Sequence, residues 1–197
     1  AIGTEALGAV TSAIANTAIG YNAGLGITSL GSNHNTIVGT AALNNTDAVG
    51  SVAIGSNCLN GALVQVIDQV AVGYQAGSRG SSNVCLGYQA GAGTNTTARS
   101  QQVGAGYQAL FGRTGTNNVG VGYQAGYISG GSATAGANNT FLGAATGATS
   151  TTGDNNTCVG YQADKSAATV ANEFTLGNSS VATLRCQQTS ITALSDR

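Results

Sequence analysis

Seven carboxylates, one histidine and four cysteines are the side chains of this 197-residue chain best suited to acid–base, nucleophilic or metal chemistry. The acids are Glu5, Asp47, Asp68, Asp154, Asp164, Glu173 and Asp196. Glycoside hydrolysis needs two carboxyl groups flanking one bond. Here no two acids share a position in the repeating phrase that fills the chain, so no catalytic pair is expected. His34 is the lone histidine and sits in an Asn-rich turn. A solvated loop residue is the simple reading, and no G-x-S-x-G elbow supplies a nucleophile for it. Cys58, Cys85, Cys158 and Cys186 contain no C-x-x-C pair, so a zinc site is not expected. The glycines form neither a phosphate-binding G-x-x-x-x-G-K-[ST] loop nor calcium-binding nonapeptides. The chain reads as a non-enzyme without metal or cofactor.

The residues that do recur are structural. The phrase reads TAIGYNAG at Thr17–Gly24, VAVGYQAG at Val70–Gly77, VCLGYQAG at Val84–Gly91, VGVGYQAG at Val119–Gly126 and TCVGYQAD at Thr157–Asp164. Weaker copies bring the anchor glycines to Gly3, Gly20, Gly39, Gly55, Gly73, Gly87, Gly106, Gly122, Gly143, Gly160 and Gly177. Spacings of 14 to 21 residues are the signature of a solenoid. Positions are counted here from each anchor glycine. Positions −3 and −1 are mostly β-branched, which favours extended chain. Side chains alternate along a strand, so −3 and −1 share one face and −2 takes the other. The −3/−1 face is expected to fill the inside of the coil. The −2 face is also largely apolar: Ala18, Ile37, Ala53, Ala71, Cys85, Phe141 and Cys158. A strand apolar on both faces is buried on both, so these seven residues are expected to meet partner chains. Cys85 and Cys158 in that slot read first as small buried residues, with a disulfide or intersubunit bridge as the alternative.

The anchor glycine ends each strand through a conformation closed to other residues. At +3 stands a small residue, from Ala6 to Ser180, suggesting a second short strand packed closely on its copies. Asn at −4 (Asn16, Asn35, Asn83, Asn118, Asn139, Asn156) suggests an internal amide ladder. Tyrosine recurs at +1 and glutamine at +2, which stacking accounts for as aromatic and amide ladders. A tyrosine ladder could also bind sugar rings. The predicted fold is an all-β, left-handed parallel β-roll or β-solenoid of about eleven rungs, roughly 50 Å long.

These residues resemble the head repeat of trimeric autotransporter adhesins, whose SVAIG-like strand is matched by Ser51–Gly55. The resemblance spans about residues 1–177. It implies a left-handed parallel β-roll, a homotrimer, and a middle motif position facing the partner chains. The spacing here is longer and more variable than that family's. A second resemblance covers residues 178–197 and the strand before them. Phe174–Arg197 looks like the junction preceding the self-cleaving intramolecular chaperone of phage tail fibres and tailspikes. It implies processing beside Ser195 and Asp196. GYQAG arrays ahead of such a junction look like viral fibre proteins rather than bacterial surface adhesins.

Charge is sparse, with 6 Lys+Arg against 7 Asp+Glu. Nucleic acid wants a basic face, and no run approaches the roughly 20 apolar residues of a membrane helix. Neither partner is expected. The chain opens without Met and contains none, so a fragment or processed product is expected. The resulting expectation is a structural and attachment segment of a trimeric viral tail fibre, extracellular in the virion, binding a host-surface glycan or protein. A glycan-degrading tailspike hydrolase and a bacterial trimeric surface adhesin are the alternatives. An ice-binding solenoid is disfavoured, because Thr clusters irregularly at Thr96–Thr97 and Thr151–Thr152. Binding usually lives on loops held by a rigid scaffold. Receptor contact is therefore expected at Tyr127 and Ile128 in the longest excursion, and at Arg99.

Overall fold

The computed structural model describes residues 1–10, 12–27, 32–44, 47–61, 66–77, 80–93, 100–129, 135–149 and 152–185. The fold is all-β, a solenoid of stacked parallel strands. In chain order the strands are β1 (Thr17–Ile19), β2 (Thr36–Val38), β3 (Ala48–Val49), β4 (Val52–Ile54), β5 (Val66–Ile67), β6 (Val70–Val72), β7 (Val84–Leu86), β8 (Val103–Ala105), β9 (Val119–Val121), β10 (Thr140–Leu142), β11 (Thr157–Val159) and β12 (Phe174–Leu176). Ten of them form one parallel sheet in the order β1-β2-β4-β6-β7-β8-β9-β10-β11-β12. Each is the −3 to −1 segment of one repeat. β3 and β5 pair separately, just before β4 and β6. Ile2 joins the sheet through a parallel bridge to Ile19. Register is strict: Ala53 pairs with Ala71, and Ala71 with Cys85.

The chain turns at residues with positive φ. Anchor glycines from Gly3 to Gly160 hold φ between 116° and 137°. A Cβ on Gly122 would lie 2.6 Å from the carbonyl oxygen of Gly143, the next anchor. Close stacking of anchor on anchor therefore demands glycine twice over, by conformation and by space. Position +2 is left-handed as well, including Gln75, Gln89, Gln108 and Gln124 at φ 51–52°. These turns fold +3 back inside, where Ala23, Ala42, Cys58, Ala76, Ala90, Ala109 and Ala125 are buried. Their segments are turns rather than the second strand expected from the +3 spacing.

The structure reverses the two faces of the strand. Ala18, Ile37, Ala53, Ala71, Cys85, Phe141 and Cys158 lie inside the chain's own coil, with no more than 1% exposure. They pack in two clusters with the +3 residues and with Leu43, Leu59 and Leu110. Positions −3 and −1 point outward, and Ile19, Ile54, Val70, Leu86, Val103, Val121 and Leu142 are exposed. The seven −2 residues therefore cannot be the surface that meets partner chains. Two physical reasons stand behind the reversal. The coil is narrow, and a pair of branched side chains from every strand would overfill it, whereas one Ala or Cys fits. Position −4 also shares the parity of −2, so an internal asparagine ladder forces −2 inside.

That ladder is present. Asn35 N–H donates to Asn16 Oδ1 at 2.9 Å, Gln102 N–H to Asn83 Oδ1 at 3.0 Å, Asn139 N–H to Asn118 Oδ1 at 2.9 Å and Asn156 N–H to Asn139 Oδ1 at 2.9 Å. The side-chain amides of Asn118, Asn139 and Asn156 donate across the coil to the carbonyls of Gly136, Gly153 and Val170. Each Asn thus satisfies backbone groups that the corner would otherwise leave buried without partners. The ladder ends at Glu173, whose N–H donates to Asn156 Oδ1 at 2.9 Å.

Candidate functional site

Because −2 and −4 face inward, what the strands and their turns offer to another molecule is carried by the outward columns. Columns −3 and −1 are aliphatic or threonine, apart from Phe174. None of their twenty residues in the ten-stranded sheet is charged. Column +1 is aromatic. Tyr74, Tyr88, Tyr107 and Tyr123 stack with centroids 5.4, 5.0 and 5.2 Å apart and ring planes within 15° of parallel. Beside them runs an amide ladder. Gln89 Nε2 donates to Gln75 Oε1 at 2.8 Å, Gln108 Nε2 to Gln89 Oε1 at 2.8 Å, and Gln124 Nε2 to Gln108 Oε1 at 2.9 Å. Both ladders follow from strict register: equal residues on successive rungs meet at the strand spacing of about 4.8 Å. Stacking covers the ring faces and leaves ring edges and hydroxyls to solvent.

The residues best suited to chemistry do not converge. His34 is exposed in a left-handed turn at φ 62°. Among the described residues no group of three His, Cys, Asp or Glu could hold a metal ion. Cys58, Cys85 and Cys158 form no disulfide and lie in the coil interior. Burial pushes the Cys58 thiol up to about 12, and burial also raises Cys158, with Asp164 adding to the effect. A buried thiol held protonated is a poor nucleophile. Comparison with protein families, curated proteins and solved structures finds no match for this chain.

Two buried cations escaped sequence reasoning. Arg113 is fully buried, lies 4.5 Å over the Phe141 ring and donates from Nε to Gly126 O at 3.0 Å. Burial lowers it to about 10. Lys165 donates from Nζ to Ala168 O at 3.1 Å and Val170 O at 3.2 Å, and burial followed by the neighbouring Arg113 lowers it. Asp164 accepts from the N–H groups of Thr149 and Lys165. The signal for Arg113 was available. Arg113 stands at +7, where Ile27 is also buried. Glu173 is a tuned carboxyl. It accepts from Ser166 N at 2.8 Å, Ser166 Oγ at 2.5 Å and Thr175 Oγ1 at 3.1 Å, and the Ser166 bonds hold it below the ordinary carboxylate range.

The expected receptor contacts are not brought together. Ile128 is 5% exposed, and its N–H donates to Phe111 O at 2.9 Å. Tyr127 is half-buried and stacks on Phe111 at 5.4 Å. Both belong to the wall of the coil, because the turn after Gly126 continues the previous rung before the excursion begins. Arg99, Ser195 and Asp196 lie outside the described residues.

Proposed function

We propose that this chain is a structural and attachment segment of an extracellular trimeric fibre, in a viral tail, built as a left-handed β-roll. Counting the turn entered through Ile2, the proposal has eleven rungs. The observation that carries it is the uncharged outward face formed by columns −3 and −1. Ten strands at about 4.8 Å, with about 7 Å from column −3 to column −1, make roughly 340 Å² of uncharged surface. That lies within the range of the largest patches on monomers, about 300–600 Å², which are often functional. A face without charge calls for a partner without charge. A second copy supplies one whose rungs repeat in the same register. Three copies, rather than two, and a viral fibre, rather than a bacterial surface adhesin, rest on the resemblance of the repeat and of the C-terminal junction. Processing beside Ser195 and Asp196 belongs to the same reading. The −2 residues take no part in this interface; Val70, Val84, Leu86, Val121 and Leu142 do.

Light scattering on the purified chain tests the assembly. The expected mass is three chains at every concentration at which the protein is folded. A folded monomer at micromolar concentration overturns it.

A further inference from the structure

The tyrosine and glutamine ladders break at the same rung. After Tyr123 and Gln124 the next two ladder positions are Ala144 and Ala145, and the ladders resume at Tyr161 and Gln162. The backbone does not break. Ala145 N–H donates to Tyr123 O at 2.8 Å, and Gln162 N–H to Ala144 O at 2.9 Å. The gap is therefore one of side chains alone, a notch one rung deep with alanine as its floor. Its walls, Tyr123 and Tyr161, are 54% and 63% exposed, against 41–44% for Tyr74, Tyr88 and Tyr107; Tyr161 is also the last ring of the column. Two rung steps place the flanking rings about 10 Å apart. One flat ring inserted midway would sit at the same spacing from each as the tyrosines keep from one another. A second interruption, at Thr40 and Ser56 between Tyr21 and Tyr74, is two rungs wide and too open to clamp one ring.

We propose that this notch binds one N-acetylhexosamine ring of a surface glycan, a site that rests on the attachment reading and gives it a ligand. The pyranose would lie between Tyr123 and Tyr161, with its C–H faces on the two rings. Its acetamido group would take the place of the missing glutamine amide. Every amide in the ladder donates to the preceding rung, so Gln124 spends Nε2 on Gln108 and turns Oε1 toward the notch. A secondary amide has one N–H and one C=O. Its N–H would donate to Gln124 Oε1, and its C=O would accept from Gln162 Nε2. The notch opens to water on its outer side, which keeps the remaining sugar hydroxyls solvated and suits a sugar better than an apolar aromatic ring. Positions +1 and +2 on these rungs carry no charge, so the ligand is neutral.

Saturation-transfer NMR on the assembled full-length chain tests this, with the methyl β-glycosides of N-acetylglucosamine and of glucose as probes. Transfer to the acetyl methyl and ring protons of the first is expected, with binding at least tenfold weaker for the second. The double substitution Ala144→Tyr with Ala145→Gln completes both ladders. It should keep or raise the melting temperature and lose at least tenfold in binding; Tyr161→Ala should lose binding to the same extent. No transfer from the N-acetylated glycoside, equal binding of both glycosides, or undiminished binding by the filled variant would overturn the site. Adsorption of the parent protein to a panel of bacterial cells reads the attachment function separately. Adsorption without glycoside binding removes the notch and leaves attachment standing. Glycoside binding without adsorption does the reverse.

Discussion

Placing a lysine at Ala71 and at Leu86 in turn separates the inside of the coil from its outside. Ala71 is fully buried, with Ala53 and Cys85 as its register partners on the adjoining strands. Its Cβ lies 3.3 Å from where a Cβ on Gly77 would stand, and its carbonyl accepts from Cys58 Sγ at 3.2 Å. A lysine there finds neither room nor a carboxylate. Overpacking costs about 1–3 kcal/mol, and an uncompensated buried charge about 3–5 kcal/mol. The sum, at least about 4 kcal/mol, rivals the whole stability of an ordinary domain, about 5–15 kcal/mol. Leu86 is 40% exposed on the −1 column, where an outward lysine keeps its head in water. Within one chain that change is expected to cost about 0.5 kcal/mol. Across an assembled interface it sets lysines into an uncharged seam. Ala71→Lys should therefore abolish the β signal in circular dichroism. Leu86→Lys should leave a folded chain that light scattering finds as smaller species. A folded Ala71→Lys protein with the parent melting temperature would refute the assignment of −2 to the interior. A Leu86→Lys protein with parental mass would remove the −1 column from the interface.

Gly122→Val should lower stability by about 1–3 kcal/mol, the range for a non-glycine residue forced into a disfavoured backbone region, and more if the Gly143 carbonyl cannot retreat; an unchanged melting temperature would contradict anchor stacking. Glu173 lies below its ordinary value in the folded chain, so its contribution is present above the unfolded carboxylate pKa and is lost as pH falls through the lower folded value. The protection factor of the Ser166 amide, which donates to Glu173, should fall on acidification through that window in the parent and lose this dependence in Glu173→Gln. Incubation with a panel of bacterial and algal polysaccharides should release no oligosaccharide; cleavage abolished by replacing a single acid would reinstate the hydrolase reading.

The parallel solenoid was legible because its cause is local. A β-branched triplet ending in glycine reports a strand and its turn on every rung, and repetition supplies the register. The asparagine, tyrosine and glutamine ladders were legible for the same reason, since stacked copies must meet. The inward and outward faces were not legible from strand composition, because both carry apolar residues. Side-chain size and the parity of −4 would have separated them: Ala18, Ala53 and Ala71 suit a narrow interior, and buried Asn35 and Asn83 fix which face that is. The candidate site was only partly legible. Loop length pointed to Tyr127 and Ile128, yet both extend the regular turn after Gly126. The notch at Ala144 and Ala145 reads in sequence as a weak copy of the phrase. It becomes a site only when strict register puts Tyr123 and Tyr161 on either side of it.

The outward columns carry the functional argument because the coil does not need them. Tyr21, Thr40, Ser56, Tyr74 and Ala144 occupy the same +1 position. The donors that follow them keep the same backbone bonds: Ala41 N–H to Tyr21 O at 2.8 Å, Asn57 N–H to Thr40 O at 2.9 Å and Ala145 N–H to Tyr123 O at 2.8 Å. A rung therefore closes equally well with a ring, a hydroxyl or a methyl group at +1. The interior has no such freedom: where Gly120 vacates the −2 slot, the Leu110 side chain lies against it inside the coil. Stacking between neighbouring tyrosines adds about 0.5–1.5 kcal/mol per pair, which accounts for an unbroken run but not for a single-rung gap flanked by rings and amides on both sides. If the ladder served stability alone, Ala144→Tyr with Ala145→Gln would be a gain without a loss. The loss expected from that repair is the bound sugar ring.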